Sequence, residues 1–269
     1  MKSGFLIVFL FLSVMVYGQT PSSCHQLDGV WEHEHASMRG IWFYKDDKYL
    51  WIILPKLRLL FAGDQPTIEE KAKAYDELSI STGSWACDGK RVTVTQMFSK
   101  NPANNTSFQF DYEISEMQIK YWIIQPDGNR GEERHSKKLT DFNPPAKQGC
   151  DQMNGFWEYD LPNQTGRYAY ANGYFGWILL DRKVTSTGLV IQSIEEKANA
   201  YDQILAVAGH GVCDTTQRYS WTRMYTKDYR EEGTITRSDI KFQNDRVQWW
   251  YVDSEGRQLE TGGKAKRLK

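Results

Sequence analysis

The sequence predicts an all-β protein with one short helix per repeat, built as two tandem antiparallel β-barrels. Three observations support this fold class. The chain repeats itself with an offset of 126 residues, as the matching pair Cys24 and Cys150 illustrates. Apolar and polar residues alternate in many short segments, which is typical of strands with one buried face. One segment per repeat has instead the apolar spacing and the capping residues of a helix.

The repeated blocks set the domain organisation. Gly29-Val30-Trp31 recurs as Gly155-Phe156-Trp157, and the run 68–76 recurs at 194–202. A unit of roughly 120 residues has the size of a whole domain rather than of a solenoid repeat. We expect a signal peptide at 1–19, a first domain at 22–141, a linker at 142–148 and a second domain at 149–269. We also expect each half to fold alone when the chain is cut in the linker.

Local patterns justify each kind of element. Phe108 and Phe110 alternate with polar residues over 108–114, and pairs such as Asn172-Gly173 are typical of hairpin turns between strands. Thr67 and Ser193 are each followed three residues later by a glutamate, the pattern of a capping box at a helix start. The sequence therefore predicts short hairpin-connected strands and one helix near 68–76 and another near 194–202.

The first residues predict export. Lys2, the apolar run 5–16 and the small residue Gly18 have the order of a signal peptide, and no second long apolar stretch follows, so we expect no membrane span. In an oxidising compartment the four cysteines are expected to form disulfides. Three pairings are open, and the repeat favours one bond per domain, Cys24–Cys87 and Cys150–Cys213. Asn104, Asn105 and Asn163 stand in glycosylation sequons, used if the source is a eukaryote.

Composition narrows the function classes. The formal net charge is −1, so the total charge signals no basic surface and we expect no nucleic-acid partner. Ten Trp and fifteen Tyr in strand-like segments suit an aromatic core or an apolar cavity. The sequence contains no nucleophile elbow and no phosphate loop. We expect neither a catalytic residue nor a cofactor.

Two groups of polar residues each have a structural and a functional interpretation. His33 and His35 share one face of a strand, as in some metal sites, but no third ligand is evident and we expect no metal. Asp76 and Asp202 follow Tyr75 and Tyr201, and a packed Tyr beside a solvated Asp is the favoured interpretation over a catalytic pair.

The Gly-x-Trp blocks carry a family resemblance. Residues 27–32 and 153–158 resemble the first-strand signature of the lipocalin-like (calycin) families. The helix, the run 82–89 and Asn101-Pro102 resemble a bacterial-type lipocalin-like domain, although Asp228 stands in the second copy where Pro102 does. The resemblance implies an antiparallel barrel of eight to ten strands with an apolar interior. It also implies that Trp31 and Trp157 close one barrel end beneath a basic residue, for which the candidates are Lys138 and Arg267.

The predicted function is that of a secreted carrier that binds or sequesters a small apolar molecule. The expected wall residues are aromatic, and Leu59 and Phe61 are expected at the mouth of the first barrel, unless that segment packs against the other domain. This segment makes the first barrel the expected better binder. Two alternatives stay open, a structural protein of the extracellular matrix and an isomerase- or cyclase-type enzyme. The expected wall residues are Trp42, Trp51, Phe108, Phe110 and Tyr121 in the first copy and Tyr168, Trp177, Trp221 and Trp249 in the second.

Overall fold

A computed structural model describes residues 22–57, 61–63, 65–100, 107–140, 151–159, 161, 163–182, 191–214 and 217–269. The predicted signal peptide and linker lie outside the described residues. The helices are α1 (Ile68–Glu77) and α2 (Ile194–Gln203). The strands of the first repeat are β1 (Gly29–Glu34), β2 (Met38–Lys45), β3 (Lys48–Pro55), β4 (Ser79–Cys87), β5 (Arg91–Ser99), β6 (Ser107–Ile114), β7 (Gln118–Ile124) and β8 (Arg130–Leu139). Those of the second are β9 (Gly155–Tyr159), β10 (Gln164–Ala171), β11 (Tyr174–Asp181), β12 (Ile204–Cys213), β13 (Arg218–Thr226), β14 (Ile235–Gln243), β15 (Arg246–Val252) and β16 (Gln258–Arg267).

Each repeat closes into its own eight-stranded antiparallel barrel. Every strand pairs with the next one along the chain, and the barrels close where β1 pairs with β8 and β9 with β16. A short 3₁₀ helix precedes each barrel, at Ser22–Leu27 and Asp151–Met153. The predicted class, two all-β barrels with a short helix in each repeat, is confirmed.

The hairpin turn and the two helix starts predicted from local sequence patterns are present. Asn172 and Gly173 both have positive φ, 55° and 79°, the backbone that a tight hairpin turn between β10 and β11 requires. The hydroxyls of Thr67 and Ser193 accept from the backbone N–H of Glu70 and Glu196, and each glutamate reaches back to the cap residue. Both capping boxes therefore start the helices where the sequence predicts.

The two barrels share a hydrophobic core that lies between them. Strands β2 and β3 are buried on both faces, because their alternate residues point into the barrel and toward the other barrel. Ile41, Phe43 and Leu50 of the first repeat belong to one buried cluster with Ile178 and Leu180 of the second. The barrels are thus packed side by side through their outer walls.

The contact has approximate twofold symmetry. Helices α1 and α2 pack against each other between the barrels. Lys71 Nζ lies 2.7 Å from Asp202 Oδ2, and the equivalent Lys197 Nζ lies 2.8 Å from Asp76 Oδ2. Asp76 and Asp202 therefore serve as reciprocal ion-pair partners across the interface. This structural use accounts for the presence of the same Lys and Asp in both copies.

The structure describes the disulfide of the first domain and one cysteine of a second disulfide. Cys24 and Cys87 are bonded, across a sequence separation of 63 residues. Cys213 is also disulfide-bonded, and its predicted partner Cys150 lies outside the described residues. On the chain-entropy model, a disulfide that closes a loop as long as that between Cys24 and Cys87 stabilises the fold by roughly 4 kcal/mol.

Candidate functional site

Aromatic rings line the interior of the first barrel and contact one another. Trp42 stacks on Trp51 with ring centroids 5.0 Å apart and meets the edge of Tyr121 at 4.7 Å. Phe108 lies 5.1 Å from Trp51, and Phe110 lies 5.8 Å from Tyr121. The five predicted wall residues of this barrel therefore converge as expected, and they contact one another.

The second barrel encloses a cavity of about 40 Å³. All four wall residues predicted for this barrel line it. The other lining residues are Met153, Trp157, Tyr159, Phe175, Tyr219, Ser238, Ile240, Val247 and Ala265. The surface of the cavity is almost entirely apolar and largely aromatic. Among the described lining residues none is acidic, basic or a histidine, so the arrangement is suited to binding rather than to proton transfer.

Differences between the repeats explain the cavity. The ion-paired Arg91–Asp111 and Arg218–Asp239 occupy the same cross-strand position in the two barrels, which gives the equivalent interior positions. Three interior positions hold Trp85, Val92 and Phe110 in the first barrel and Gly211, Tyr219 and Ser238 in the second. A fourth position changes in the opposite sense, from Val94 to Trp221, and only partly regains the volume lost at Gly211 and Ser238. The sequence contains this signal, but the repeat must first be aligned strand by strand to reveal it.

The Trp177 indole in the cavity wall lacks a hydrogen-bond partner. In the first barrel the equivalent Trp51 Nε1 donates to the Tyr44 hydroxyl at 3.1 Å. In the second barrel the hydroxyl of Tyr170 donates instead to the Gly211 carbonyl at 3.2 Å. Trp177 Nε1 is left buried without an acceptor among the described residues, and the same holds for Trp42 Nε1 inside the first barrel. A buried unmade hydrogen bond costs roughly 1–3 kcal/mol.

Two tyrosine hydroxyls form the polar end of the wall. Tyr168 Oη and Tyr219 Oη lie 3.2 Å apart. Burial raises the pKa of both phenols well above the usual value for tyrosine, so both stay neutral. They can orient a bound molecule by hydrogen bonds, but neither can act as a base near neutral pH.

In both repeats the tryptophan and the basic residue that were expected to close one barrel end lie close together. Trp31 Nε1 donates to the Leu27 carbonyl at 2.8 Å, and Lys138 Nζ lies 5.2 Å from the ring centre of Trp31. Trp157 Nε1 donates to the Met153 carbonyl at 2.7 Å, with the Arg267 guanidinium 4.2 Å above its ring. Cation–π contacts of this kind contribute about 0.5–2 kcal/mol each.

The two histidines make hydrogen bonds, ion pairs and ring contacts with their neighbours. His33 is buried, accepts or donates a hydrogen bond at 3.0 Å with the Tyr121 hydroxyl, and stacks on Trp42 at 5.4 Å. Burial lowers the pKa of His33 to about 4, and the positive charge of Arg134 adds to the effect. His35 Nε2 lies 3.2 Å from Glu132 Oε1. In the described part of the chain, no cluster of three or more metal-ligating side chains is present.

Several predicted site residues lie elsewhere. Phe61 is not among the interior rings; it packs between the barrels, 6.4 Å from the ring of Tyr201 and 6.1 Å from that of Tyr229. This position matches the alternative in which its segment packs against the other domain. Leu59 and the sequons at Asn104 and Asn105 lie outside the described residues. Asn163 is exposed and directly precedes β10.

Comparisons with known proteins add no family. No protein-family model matches the chain, and no curated protein matches it. Among solved structures, a DNA polymerase sliding clamp from Pseudomonas aeruginosa bound to griselimycin aligns at 10% identity and a TM-score of 0.13, covering 91% of this chain and 77% of the clamp. A sliding clamp from Caulobacter crescentus aligns at 7% identity and a TM-score of 0.12, covering 89% and 76%. Similarity at these TM-scores carries no argument about fold or function. Among the described residues, no helix has the length and apolar character needed to cross a membrane.

Proposed function

We propose that this protein is a secreted, lipocalin-like carrier or sequestering protein, and that it binds a small apolar molecule with one hydrogen-bond acceptor in the second barrel. The unpartnered Trp177 N–H in a cavity lined by aromatic rings is the observation that carries the proposal. The basic residues over Trp31 and Trp157 support the lipocalin-like assignment. The Cys24–Cys87 bond supports an oxidising location.

The cavity sets the size of the ligand. Pockets for drug-sized ligands measure about 300–1,000 Å³, and an engineered cavity of about 150 Å³ accommodates benzene. A cavity of about 40 Å³ is smaller than either, so the ligand is a compact molecule of few heavy atoms unless a wall ring moves. The half-buried Trp249 is the wall ring with most access to solvent. A retinoid, fatty acid or tetrapyrrole would require that ring and its neighbours to move.

A matched pair of ligands tests the role of the indole. Acetone and isobutene have similar shapes and only four heavy atoms each, but only the ketone offers an acceptor to Trp177. We expect the ketone to bind the second barrel more tightly by roughly 1 kcal/mol, about fivefold in Kd. The measurement is titration of protein carrying ¹⁵N-labelled tryptophan, followed by the indole N–H resonances. The Trp177 resonance should move with the ketone and not with the hydrocarbon.

Variants separate binding from folding. Trp177→Phe should remove the preference for the ketone, whereas Trp51→Phe, the equivalent change in the first barrel, should preserve it. Ser238→Val should fill the cavity and abolish binding of both ligands. Because filling a void of this size is worth about 1 kcal/mol, the same variant should unfold at an equal or higher denaturant concentration. Saturable binding that survives Ser238→Val unchanged would refute the assigned site.

The mutual contacts of the rings inside the first barrel favour a second candidate function, that of a structural protein of an extracellular matrix or secretion. Its interior rings are in mutual contact, so this barrel is stabilised by its own side chains. Native mass spectrometry of protein purified from its own source distinguishes the two candidates. A small molecule that travels with the protein supports the carrier, and its consistent absence supports the structural role. No described group in the cavity favours an enzyme.

A further inference from the structure

A second feature of the second barrel lies on its outer wall. A cleft of about 170 Å³ crosses the exposed face of β14, β15 and β16. The outward-facing side chains that line it are Lys241, Gln243, Arg246, Gln248, Lys264 and Lys266. Four of these six carry a positive charge and none carries a negative charge. We call this feature the cationic cleft.

Residues of like charge lie on neighbouring strands in the cationic cleft. Arg246 on β15 stands directly opposite Lys266 on β16, and Lys241 and Lys264 flank Gln248 in the neighbouring row. Like charges directly opposite in an antiparallel pair are destabilising. None of the four cations forms an ion pair with a carboxylate in the part of the chain that the structure describes. On its other side Lys266 stands opposite Glu158 of β9, which partly offsets this repulsion. An anionic ligand would relieve the rest.

The first barrel provides an internal comparison. Its β7–β8 wall has the same register, since Ile119 pairs with Ser136 as Val247 pairs with Ala265. There, Lys120 Nζ lies 4.0 Å from Glu133 and His135 Nε2 lies 3.0 Å from the same carboxylate. Charge is balanced on this wall of the first barrel and unbalanced on the equivalent wall of the second. The cationic cleft is thus specific to one copy of the duplicated domain.

We infer that the cationic cleft binds an extended polyanion with regularly spaced sulfate groups, a sulfated polysaccharide. Outward-facing residues recur about 6.8 Å apart along a strand, and neighbouring strands lie about 4.8 Å apart, so the cations form a flat array rather than a converging pocket. The backbone N–H groups here belong to the sheet ladder, so they form no nest for a single phosphate. No large apolar side chain of the array projects outward to enter a bilayer.

The inference is independent of the proposed cavity ligand. Val247 and Ala265 separate the two features, since their side chains line the cavity while their strands form the floor of the cleft. The test uses the full chain and a fluorescent heparin hexasaccharide, with fluorescence anisotropy as the readout and N- and O-desulfated hexasaccharide as the ligand control. Wild-type protein should bind the sulfated probe with a steep dependence on salt and should not bind the desulfated probe.

Paired variants assign the binding to the cleft. Arg246→Gln with Lys264→Gln should weaken binding on the order of tenfold or more, because two charge-assisted contacts are removed. The slope of log K against log salt should fall by roughly two, one for each lost ionic contact. Lys120→Gln with Lys137→Gln removes the same charge from the equivalent wall of the first barrel and should leave both quantities unchanged. Thermal unfolding of the cleft variant should occur at the wild-type temperature or above it, since a like-charge pair is relieved.

Several results would overturn the inference. Equal losses in the two double variants would mean that binding follows total charge and not the cationic cleft. Equal affinity for the desulfated probe would exclude sulfate recognition. Absence of binding by folded wild-type protein near physiological salt, or tighter binding to anionic phospholipid vesicles or single-stranded DNA than to the hexasaccharide, would reject a sulfated polysaccharide as the ligand.

Discussion

The core between the barrels makes a sharp prediction at two equivalent positions of the duplication. Leu50 in β3 and Gly176 in β11 are separated by the repeat offset, and they meet across the interface. A Cβ atom added to Gly176 would lie 2.6 Å from Phe43 Cε2 and 2.7 Å from Leu50 Cδ2. The interface therefore has room for one large side chain at this pair of positions and not for two. We predict that substitutions at the two sites are strongly coupled.

The magnitudes follow from the contacts. Gly176→Ala overpacks the core, which costs about 1–3 kcal/mol, partly offset by about 0.4–1 kcal/mol from the less flexible unfolded chain. Leu50→Ala leaves a cavity beside Gly176 and should cost about 2–5 kcal/mol, since Leu50 is fully buried. In the double variant the new methyl group occupies space that Leu50 has vacated. The double variant should therefore lose about 1–2 kcal/mol less than the two single losses combined.

Chemical denaturation of the full chain measures this coupling as a double-mutant cycle. Leu54→Ala serves as the control, because Leu54 lies in the same core but is not among the atoms nearest Gly176. Leu54→Ala and Gly176→Ala should be additive within about 0.5 kcal/mol. Equal additivity for Leu50→Ala and Gly176→Ala would refute the direct contact and, with it, this packing of one barrel on the other.

Two further predictions concern acid stability and the independence of the halves. The pKa of His33 is lowered from 6.5 to about 4 in the folded protein, so the unfolded chain binds more protons between these values and stability falls as the pH falls through them. His33→Gln should remove up to about 3 kcal/mol of this loss, measured by urea unfolding at pH 7 and pH 4, and an identical pH dependence in both proteins would contradict the assignment. Cleavage between Pro144 and Pro145 should yield two halves that associate with each other, because one exposes the apolar outer wall of β2–β3 and the other that of β10–β11. Sedimentation at micromolar protein concentration measures this association. Halves that stay monomeric would show that the shared core is dispensable.

The shared core changes the expectation drawn from the repeat alone. A duplicated domain suggests two units that fold independently and are each soluble alone, and each barrel does close by itself. The run 50–54 is nevertheless continuously apolar, where a strand with one wet face would alternate. That run is the sequence signal of burial on both faces. It does not name the partner, because an apolar outer face can be covered equally by a helix, by the other repeat or by another protein.

The candidate site was predictable in part. The wall residues Tyr168, Trp177, Trp221 and Trp249 were found from alternation, since inward-facing positions of a barrel follow a period of two. Alternation could not show that the second barrel holds the cavity. Whether rings fill a barrel depends on the summed volume at facing positions, and Ser238 opposite Tyr219 has meaning only once the strand register is known.

The sequence by itself determined the duplication, the strands with their turns and the capped helices, and it favoured the pairing of Cys24 with Cys87 over two others. These depend on local patterns and on the comparison of the two copies. Only the tertiary structure decided the core between the barrels, the unpartnered Trp177 indole and the cationic cleft. Each of these depends on residues from separate strands that meet in space. A net charge of −1 averages over the whole surface, whereas Arg246 and Lys266 act through the few ångströms that separate them.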